Sequence, residues 1–214
     1  MRILHPDDLR PLVRMVNFHP VPPGASWGSR TIADLELILN LTGEFEFFTD
    51  AGERIVQRPG QVLLIYPTER HTYRRSGAAG RAMFSCIHCE LLPAGQWAAK
   101  DYRLEPSPRR LTDVAGDREI PRLFRRAARA FGGYSRFRQE IVSTIVREIW
   151  LRLAEKWSET ASPAVSRRME QMLAFLRDRL GEPVSRRDLA EAFAVTPEHV
   201  NYLFRKELGL TPTQ

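Results

Sequence analysis

The sequence predicts an α+β protein of two domains, with a β-barrel and helices in its N-terminal part and an all-α C-terminal part. Short runs of strand-forming residues, separated by turn signals, fill residues 31–90. From residue 119 onward, apolar residues recur every three or four positions, which indicates amphipathic helices. A chain of 214 residues is long enough to bury a core in each of two modest domains.

Five segments between residues 34 and 91 are typical of strands. They are DLELILNL (34–41), GEFEFFTDAGE (43–53), RIVQRPGQVLLIYP (54–67), HTYRR (71–75) and AMFSCIHCEL (82–91). Hairpin turns are predicted at residues 50–52, Asp-Ala-Gly, and at residues 58–60, Arg-Pro-Gly. Many short strands joined by close turns are typical of an all-β barrel or sandwich.

The order of GEFEFF, a turn, RPGQVLLIYP and then His71 resembles the cupin-type sensor domain at the N-terminus of AraC-type transcription regulators. The resemblance implies a cupin-like barrel that binds a small polar effector, frequently a sugar. In such a barrel His71 would be a hydrogen-bonding group at the mouth, and a structural role for it is the equal alternative.

Other residues of this part could also bind an effector, because polar or aromatic side chains that point into a barrel hold a polar ligand by stacking and hydrogen bonds. The candidates beside His71 are Trp27, Glu46, Tyr66 and Tyr73. Strand register decides which of them point inward. Core packing is the alternative for each aromatic residue.

A cupin metalloenzyme with a helical appendage is the alternative from a different class of protein. Metal-binding cupins carry two His and a Glu close together on one strand pair and a further His on a later strand, so that three or four ligands converge on the cation. Residues 39–48 contain Glu44 and Glu46 but no histidine. We therefore expect no metal, no cofactor and no enzyme activity.

Cys86 and Cys89 flank His88 in the segment CIHC, which invites a zinc or redox interpretation. The chain has two cysteines, so a structural zinc site would lack further thiolate ligands. Residues three apart on a strand also point to opposite faces. We expect two buried free thiols instead.

Two helices are predicted after the barrel, over residues 119–131 and 136–157. In the second helix an apolar residue recurs every four positions, at Ile141, Ile145, Ile149 and Leu153. This stripe needs a partner, which is either the outside of the barrel or the same helix of a second subunit. The resemblance to AraC-type regulators favours a homodimer with these four residues in its interface.

Residues 185–212 predict two short helices joined by a tight turn. Ser185 and Thr196 are N-cap candidates, and Pro197 suits the first turn of the second helix, which Gly209 would end. The apolar face of the second helix consists of Val200, Leu203 and Phe204. Its polar face consists of Glu198, Asn201, Tyr202 and Arg205. A helix with these faces can read the major groove of DNA, although any amphipathic surface helix has the same pattern.

The run LAEAFAVTPEHVNYLFRKELGLTP resembles the first helix-turn-helix of AraC/XylS-type regulators, with LA before a small-residue turn, Thr before the reading helix, then LFR and a closing Gly. The resemblance places Glu198, Asn201 and Tyr202 at base-contacting positions and Arg205 at a backbone-contacting position. Family members carry two such units, and the sequence stops at Gln214. We therefore expect the first unit alone.

The formal net charge of +6 is concentrated outside this segment. Lys and Arg outnumber Asp and Glu by 14 to 9 in residues 100–160 and by 8 to 7 in residues 161–214, so overall charge is weak support for DNA binding. The sequence has no apolar run of membrane-spanning length and no signal-peptide organisation, which predicts a cytoplasmic protein.

Four parts are expected from these segments: a cupin-like sensing barrel (1–112), a helical dimerisation and relay segment (113–158), a linker (159–165) and a partial helix-turn-helix domain (166–214). The expected function is that of a ligand-responsive, sequence-specific DNA-binding transcription regulator of the AraC type. The alternatives are a cupin metalloenzyme and a truncated regulator that acts as a protein-interaction module.

Overall fold

The structure, a computed structural model, describes residues 2–77, 80–92, 102–158, 166–179, 181 and 184–212. The chain forms two compact units, residues 1–160 and residues 161–214. Within the described ranges, no helix is both long enough and apolar enough to cross a bilayer. The α+β class and the cupin-like barrel followed by helices are confirmed.

The first unit contains eleven strands among its described residues. They are β1 (Arg2–Leu4), β2 (Leu12–Val21), β3 (Ser26–Arg30), β4 (Leu35–Thr42), β5 (Phe45–Thr49), β6 (Arg54–Gln57), β7 (Gln61–Ile65), β8 (His71–Arg75), β9 (Ala82–Glu90), β10 (Tyr102–Leu104) and β11 (Leu111–Asp113). The five predicted segments supply β4 to β9. The strands that precede residue 31 and the two short strands after residue 100 were not predicted.

Two mainly antiparallel sheets form the barrel. The larger sheet has the order β11-β7-β4-β9-β2, the smaller has the order β3-β8-β5-β6, and β1 pairs with β10 in parallel. Side chains alternate across β4, so Ile38 joins the core between the sheets, whereas Leu37 and Leu39 join the core under the helices. The larger sheet therefore separates two apolar cores.

The two predicted turns have different roles. Residues 50–52 join β5 and β6, which are paired neighbours, so this hairpin is confirmed. Residues 58–60 instead carry the chain from β6 in one sheet to β7 in the other, so the hairpin predicted there is wrong. Gly60 has φ 79°, and a Cβ there would lie 2.8 Å from Ala115 Cβ, which favours glycine at this crossing.

Helices α1 (Glu119–Phe131) and α2 (Arg138–Ser158) pack on the larger sheet. Asp117 begins α1 by accepting hydrogen bonds from the amides of Glu119 and Ile120. Near the end of α2, Trp157 Nε1 donates to Thr112 Oγ1 over 2.9 Å, which holds the helix against β11. The barrel and these helices thus share one core.

The apolar stripe of α2 does not form the free surface that the dimer prediction required. Ile145, Ile149 and Leu153 are at most 2 % exposed, because they pack against the barrel of their own chain. Ile141, at the start of the helix, remains 40 % exposed. The alternative of packing within one subunit is correct for three of the four residues.

The second unit contains α3 (Arg167–Asp178), α4 (Arg186–Ala192) and α5 (Pro197–Leu208). Ser185 and Thr196 cap α4 and α5 as predicted, each accepting backbone amide hydrogen bonds. Gly209 ends α5 with φ 70°. Helix α3 ends at Asp178, and Arg179 is its C-cap residue.

The four expected parts remain predictions as domain boundaries. The proposed boundary at residue 112 falls inside β11, and the core beneath α1 and α2 includes barrel residues. The linker 159–165 lies outside the described residues.

Candidate functional site

A layer of charged side chains lies inside the barrel at one end. We call it the polar layer; it consists of Arg30, Asp34, Glu36, His71 and His88. Strand register brings its members together, because Glu36 on β4 pairs with His88 on β9 and Arg30 on β3 pairs with His71 on β8. Four of the five residues are buried, and the Arg30 side chain is 33 % exposed.

Arg30 connects the two sheets across this layer. Its Nη2 donates to Glu36 Oε2 over 2.8 Å, and its Nε donates to His71 Nε2 over 3.3 Å. Because His71 Nε2 accepts, the ring hydrogen lies on Nδ1, which donates to the carbonyl oxygen of Glu69 over 2.9 Å. His71 therefore accepts one hydrogen bond and donates another in this arrangement.

His88 lies between two carboxylates. Its Nδ1 is 3.0 Å from Asp34 Oδ1, and its Nε2 is 3.1 Å from Glu36 Oε1 at an angle unsuited to a hydrogen bond. Burial opposes charge on this ring, but contacts with Asp34, Cys86 and Glu36 outweigh it and raise the pKa of His88 to about 11. The ring is thus a cation at neutral pH, and the layer balances two cations against two anions.

The opposite end of the barrel is lined by aromatic side chains. Trp27, Phe45, Tyr73 and Phe84 contact one another, with ring centroids 5.2–6.0 Å apart. The Tyr73 hydroxyl donates to Gln57 Oε1 over 2.7 Å, and burial raises the pKa of Tyr73 well above its ordinary value. Polar groups are also buried at this end, among them the Gln57 amide and the Arg75 guanidinium, whose Nη1 donates to the carbonyl oxygen of Val21.

The candidate effector residues divide between the inside and the outside of the barrel. Trp27, His71 and Tyr73 contact the interior core, and their role in effector binding stays a prediction. Glu46 is on the outer face of β5, where hydrogen bonds from Arg54 and Arg74 lower its pKa, so the prediction that it points inward is wrong.

Tyr66 also lies outside the barrel interior, contrary to the prediction. It packs against the helix-facing core and lines a surface cavity of about 240 Å³ with Leu35, Pro67 and Leu104 among others. Burial raises the pKa of Tyr66, and its ring stacks beneath the Arg110 guanidinium at 4.9 Å.

Sequence reasoning missed Arg30, Asp34, Glu36 and His88 as site residues. The signal for Glu36 was present, because an acid within the apolar run LELIL belongs to a strand buried on both faces. For His88 the sequence indicated only its place between the two cysteines of the segment CIHC. The two thiols there are free, buried and on opposite faces, as predicted.

Helix α5 keeps its two faces apart in the second unit. Val200 and Phe204 are buried against α3 and α4. The opposite face forms a shallow concavity of about 480 Å³, lined by Glu198, Asn201, Tyr202, Arg205 and Lys206. Tyr202 is 55 % exposed and stands between the His199 ring and the Lys206 ammonium group. The four predicted DNA-contacting residues therefore share one open surface.

The profile of the AraC-like ligand binding domain matches residues 23–150, more than half of the chain. The chain belongs to this family. It is a ligand-responsive transcription regulator of the AraC type, and regulators of this type bind DNA and small-molecule effectors.

This AraC-type chain is 23% identical to the arabinose operon regulatory proteins of Salmonella typhimurium and Escherichia coli over 220 residues. The alignments cover 90% of the chain and 76% and 74% of those proteins. Among solved structures, apo ToxT from Vibrio cholerae matches 93% of the chain and 76% of its own length, with a TM-score of 0.47 and 7% identity.

Proposed function

We propose that this AraC-type regulator reads DNA with α5 and senses a small polar effector in the polar layer of its barrel, as a homodimer. The observation that carries the proposal is the open face of α5. Four polar side chains predicted from the sequence to contact DNA lie together there, while the opposite face anchors the helix in a core.

The side chains of this face are suited to the major groove. Asn201 and Glu198 offer amide and carboxylate groups that can pair with base edges. Arg205 and Lys206 add charges that can bind phosphates. Capping by Thr196 and Gly209 fixes both ends of the helix, so these groups are presented from a rigid element.

The polar layer is the stronger candidate for effector recognition than the aromatic end. Arg30 reaches solvent while it hydrogen-bonds to Glu36 and His71, so an entering ligand can exchange its hydrogen bonds with groups already in place. Charges inside the layer compensate one another, which favours an uncharged, hydroxyl-rich ligand. The names of the arabinose operon relatives support a sugar as the effector class.

We propose that the homodimer forms through exposed residues just before α2 and in its first turn. Tyr134 and Phe137, which precede α2, and Ile141, in its first turn, are exposed apolar side chains, 104 %, 60 % and 40 % exposed. A second copy would bury them, whereas the rest of the predicted stripe is already covered.

Effector binding would act by shifting populations and needs no catalytic step. An effector that binds one arrangement of the chain more tightly than another changes how often α5 is presented productively. We expect sugars and related polar metabolites, tested by calorimetry, to include one that binds the wild-type chain and not an Arg30→Ala variant.

The DNA-binding proposal is tested by fluorescence anisotropy with duplex DNA from the region upstream of the coding sequence and a scrambled duplex, at two salt concentrations. We expect preference for the native duplex. Equal, strongly salt-dependent binding, with Kd on the order of 10⁻⁴ to 10⁻⁶ M, would be non-specific and would contradict sequence reading by this chain.

A further inference from the structure

Three different metal-ligating groups converge inside the barrel, and two of them, Glu36 and His88, belong to the polar layer. Glu36 extends from β4, and Cys86 and His88 extend from the neighbouring β9, where Cys86 pairs with Ile38 and His88 with Glu36. A carboxylate oxygen, a thiol sulfur and a ring nitrogen from these residues lie within 4.8 Å of one another. All three residues are buried.

The His88 ring is already held in the orientation that a metal ligand needs. Its Nδ1 is hydrogen-bonded to Asp34, as in the carboxylate–histidine pairs that support metal sites. Its Nε2 faces Glu36 Oε1 but makes no hydrogen bond within the described part of the chain, although the residue is only 7 % exposed. This nitrogen is held by its ion pair with Glu36, at a position where a metal ion can replace the ring proton.

We propose that Glu36, Cys86 and His88 bind a divalent transition-metal ion of the zinc type inside the barrel. Imidazole, thiolate and carboxylate are the ligands that zinc uses in proteins. On binding, the ion displaces the protons of Cys86 Sγ and His88 Nε2, and the thiolate and the Glu36 carboxylate together neutralise its two positive charges. Asp34 keeps the Nδ1 proton of His88.

The distances allow this site with small movements. Tetrahedral bonds of about 2.0–2.3 Å place ligand atoms about 3.3–3.8 Å apart. His88 Nε2 and Glu36 Oε1 are 3.1 Å apart, and one ligand atom from each of the three residues lies within 4.8 Å of the other two. Arg30 holds the other carboxylate oxygen of Glu36, which leaves Oε1 directed at the metal position. Three protein ligands leave a fourth position for water or another oxygen ligand.

The test is a titration of the full chain, stripped of metals with a chelator, with Co²⁺ as a spectroscopic probe for zinc. We expect one equivalent to bind and to give a sulfur-to-cobalt charge-transfer band. Cys86→Ala should abolish that band, and His88→Gln and Glu36→Gln should abolish or greatly weaken binding. Asp34→Asn, which changes only the support of His88, should weaken binding by about 10–100-fold.

Cys89→Ala is the matched control, because this thiol lies on the same strand but faces the helix-side core. It should keep the full band. Circular dichroism establishes that each variant is folded, and in wild type Zn²⁺ should raise the thermal midpoint in proportion to its binding.

Absence of stoichiometric Co²⁺ binding by the folded wild type would overturn the proposal, as would a band that survives Cys86→Ala. Loss of the band in Cys89→Ala would equally assign the metal to other ligands. DNA binding of the metal-free chain, measured separately by anisotropy, tests the regulator function, so the two proposals can fail independently.

Discussion

The charged groups of the polar layer and those on α5 differ in their surroundings, and therefore in what they contribute. Glu36, His88 and Arg30 neutralise one another in a largely buried layer. Glu198, Arg205 and Lys206 stand open to solvent on a helix anchored by its other face. Buried charges depend on their partners inside the chain, whereas exposed charges are free to bind something else. Removing a charge from the first group should therefore lower the free energy of unfolding, whereas removing one from the second should change DNA binding and leave stability nearly unchanged.

The largest expected effect is that of Glu36→Ala on stability. Removing this carboxylate leaves Arg30 and His88 without their shared anion, which should cost about 3–5 kcal/mol in the free energy of unfolding. Urea unfolding followed by tryptophan fluorescence measures it, because all four tryptophans lie between residues 27 and 157, in the first unit.

Glu46→Ala is the matched control for Glu36→Ala. Glu46 also bridges two arginines, but on the outer face, where Arg54 and Arg74 are 63% and 51% exposed. We expect a much smaller loss there. Glu46 is itself 7 % exposed, so the two variants differ in the exposure of the partner cations, and similar losses would contradict a role for that exposure.

A second comparison uses two isoleucines one turn apart on α2. Ile145→Ala should lower the free energy of unfolding of the first unit by about 2–5 kcal/mol, since it creates a cavity in a packed core. Ile141→Ala should change stability little and instead weaken self-association, measured by sedimentation. A concentration-independent monomer in wild type would remove the role proposed for this surface.

The pH dependence of stability provides a third test, made with chelator present. The pKa of His88 is about 11 in the folded chain and 6.5 in the unfolded chain, so the folded chain retains a proton that the unfolded chain releases. This stabilisation is complete below pH 6.5 and is lost as pH rises towards 11. The free energy of unfolding should therefore fall as the pH rises from 7 to 9. His88→Gln should flatten this dependence; an unchanged slope in that variant would assign it to other groups.

The smallest effects on stability belong to α5. Asn201→Ala should reduce discrimination between native and scrambled duplexes by roughly 1–3 kcal/mol, because a base contact is lost. Arg205→Ala should weaken binding to both duplexes and lower its salt dependence. Neither change should alter unfolding appreciably. Equal effects of the two variants on both duplexes would contradict their different roles.

The sequence predicts α5 well because its signals are local. Caps at Thr196 and Gly209 and the spacing of Val200 and Phe204 determine the helix and its buried face without reference to distant residues. Its polar face lies opposite the buried face and lines the open concavity, so the same local spacing predicts both faces.

The polar layer was not predictable in the same way, because it depends on which strands are neighbours. Glu36 and His88 are 52 residues apart and meet only through the pairing of β4 with β9. The cupin metal pattern predicts ligands within residues 39–48, whose Glu46 points outward, and the CIHC segment alone does not indicate that Glu36 lies beside Cys86 and His88. Likewise, the apolar stripe of α2 indicated a partner but could not show that the chain's own barrel is that partner.

Strand β9 has a further consequence for signalling. Its successive side chains alternate between the interior, where Cys86 and His88 lie, and the core beneath α1 and α2, where Ile87 and Cys89 lie. The backbone of β9 thus forms part of the wall between the barrel interior and the helices, together with β4 and β7. Any displacement of that backbone must move both sets of side chains together. A ligand that binds inside the barrel and shifts β9 would therefore also change how α1 and α2 pack on the sheet. Amide hydrogen exchange along β9 would measure that shift directly.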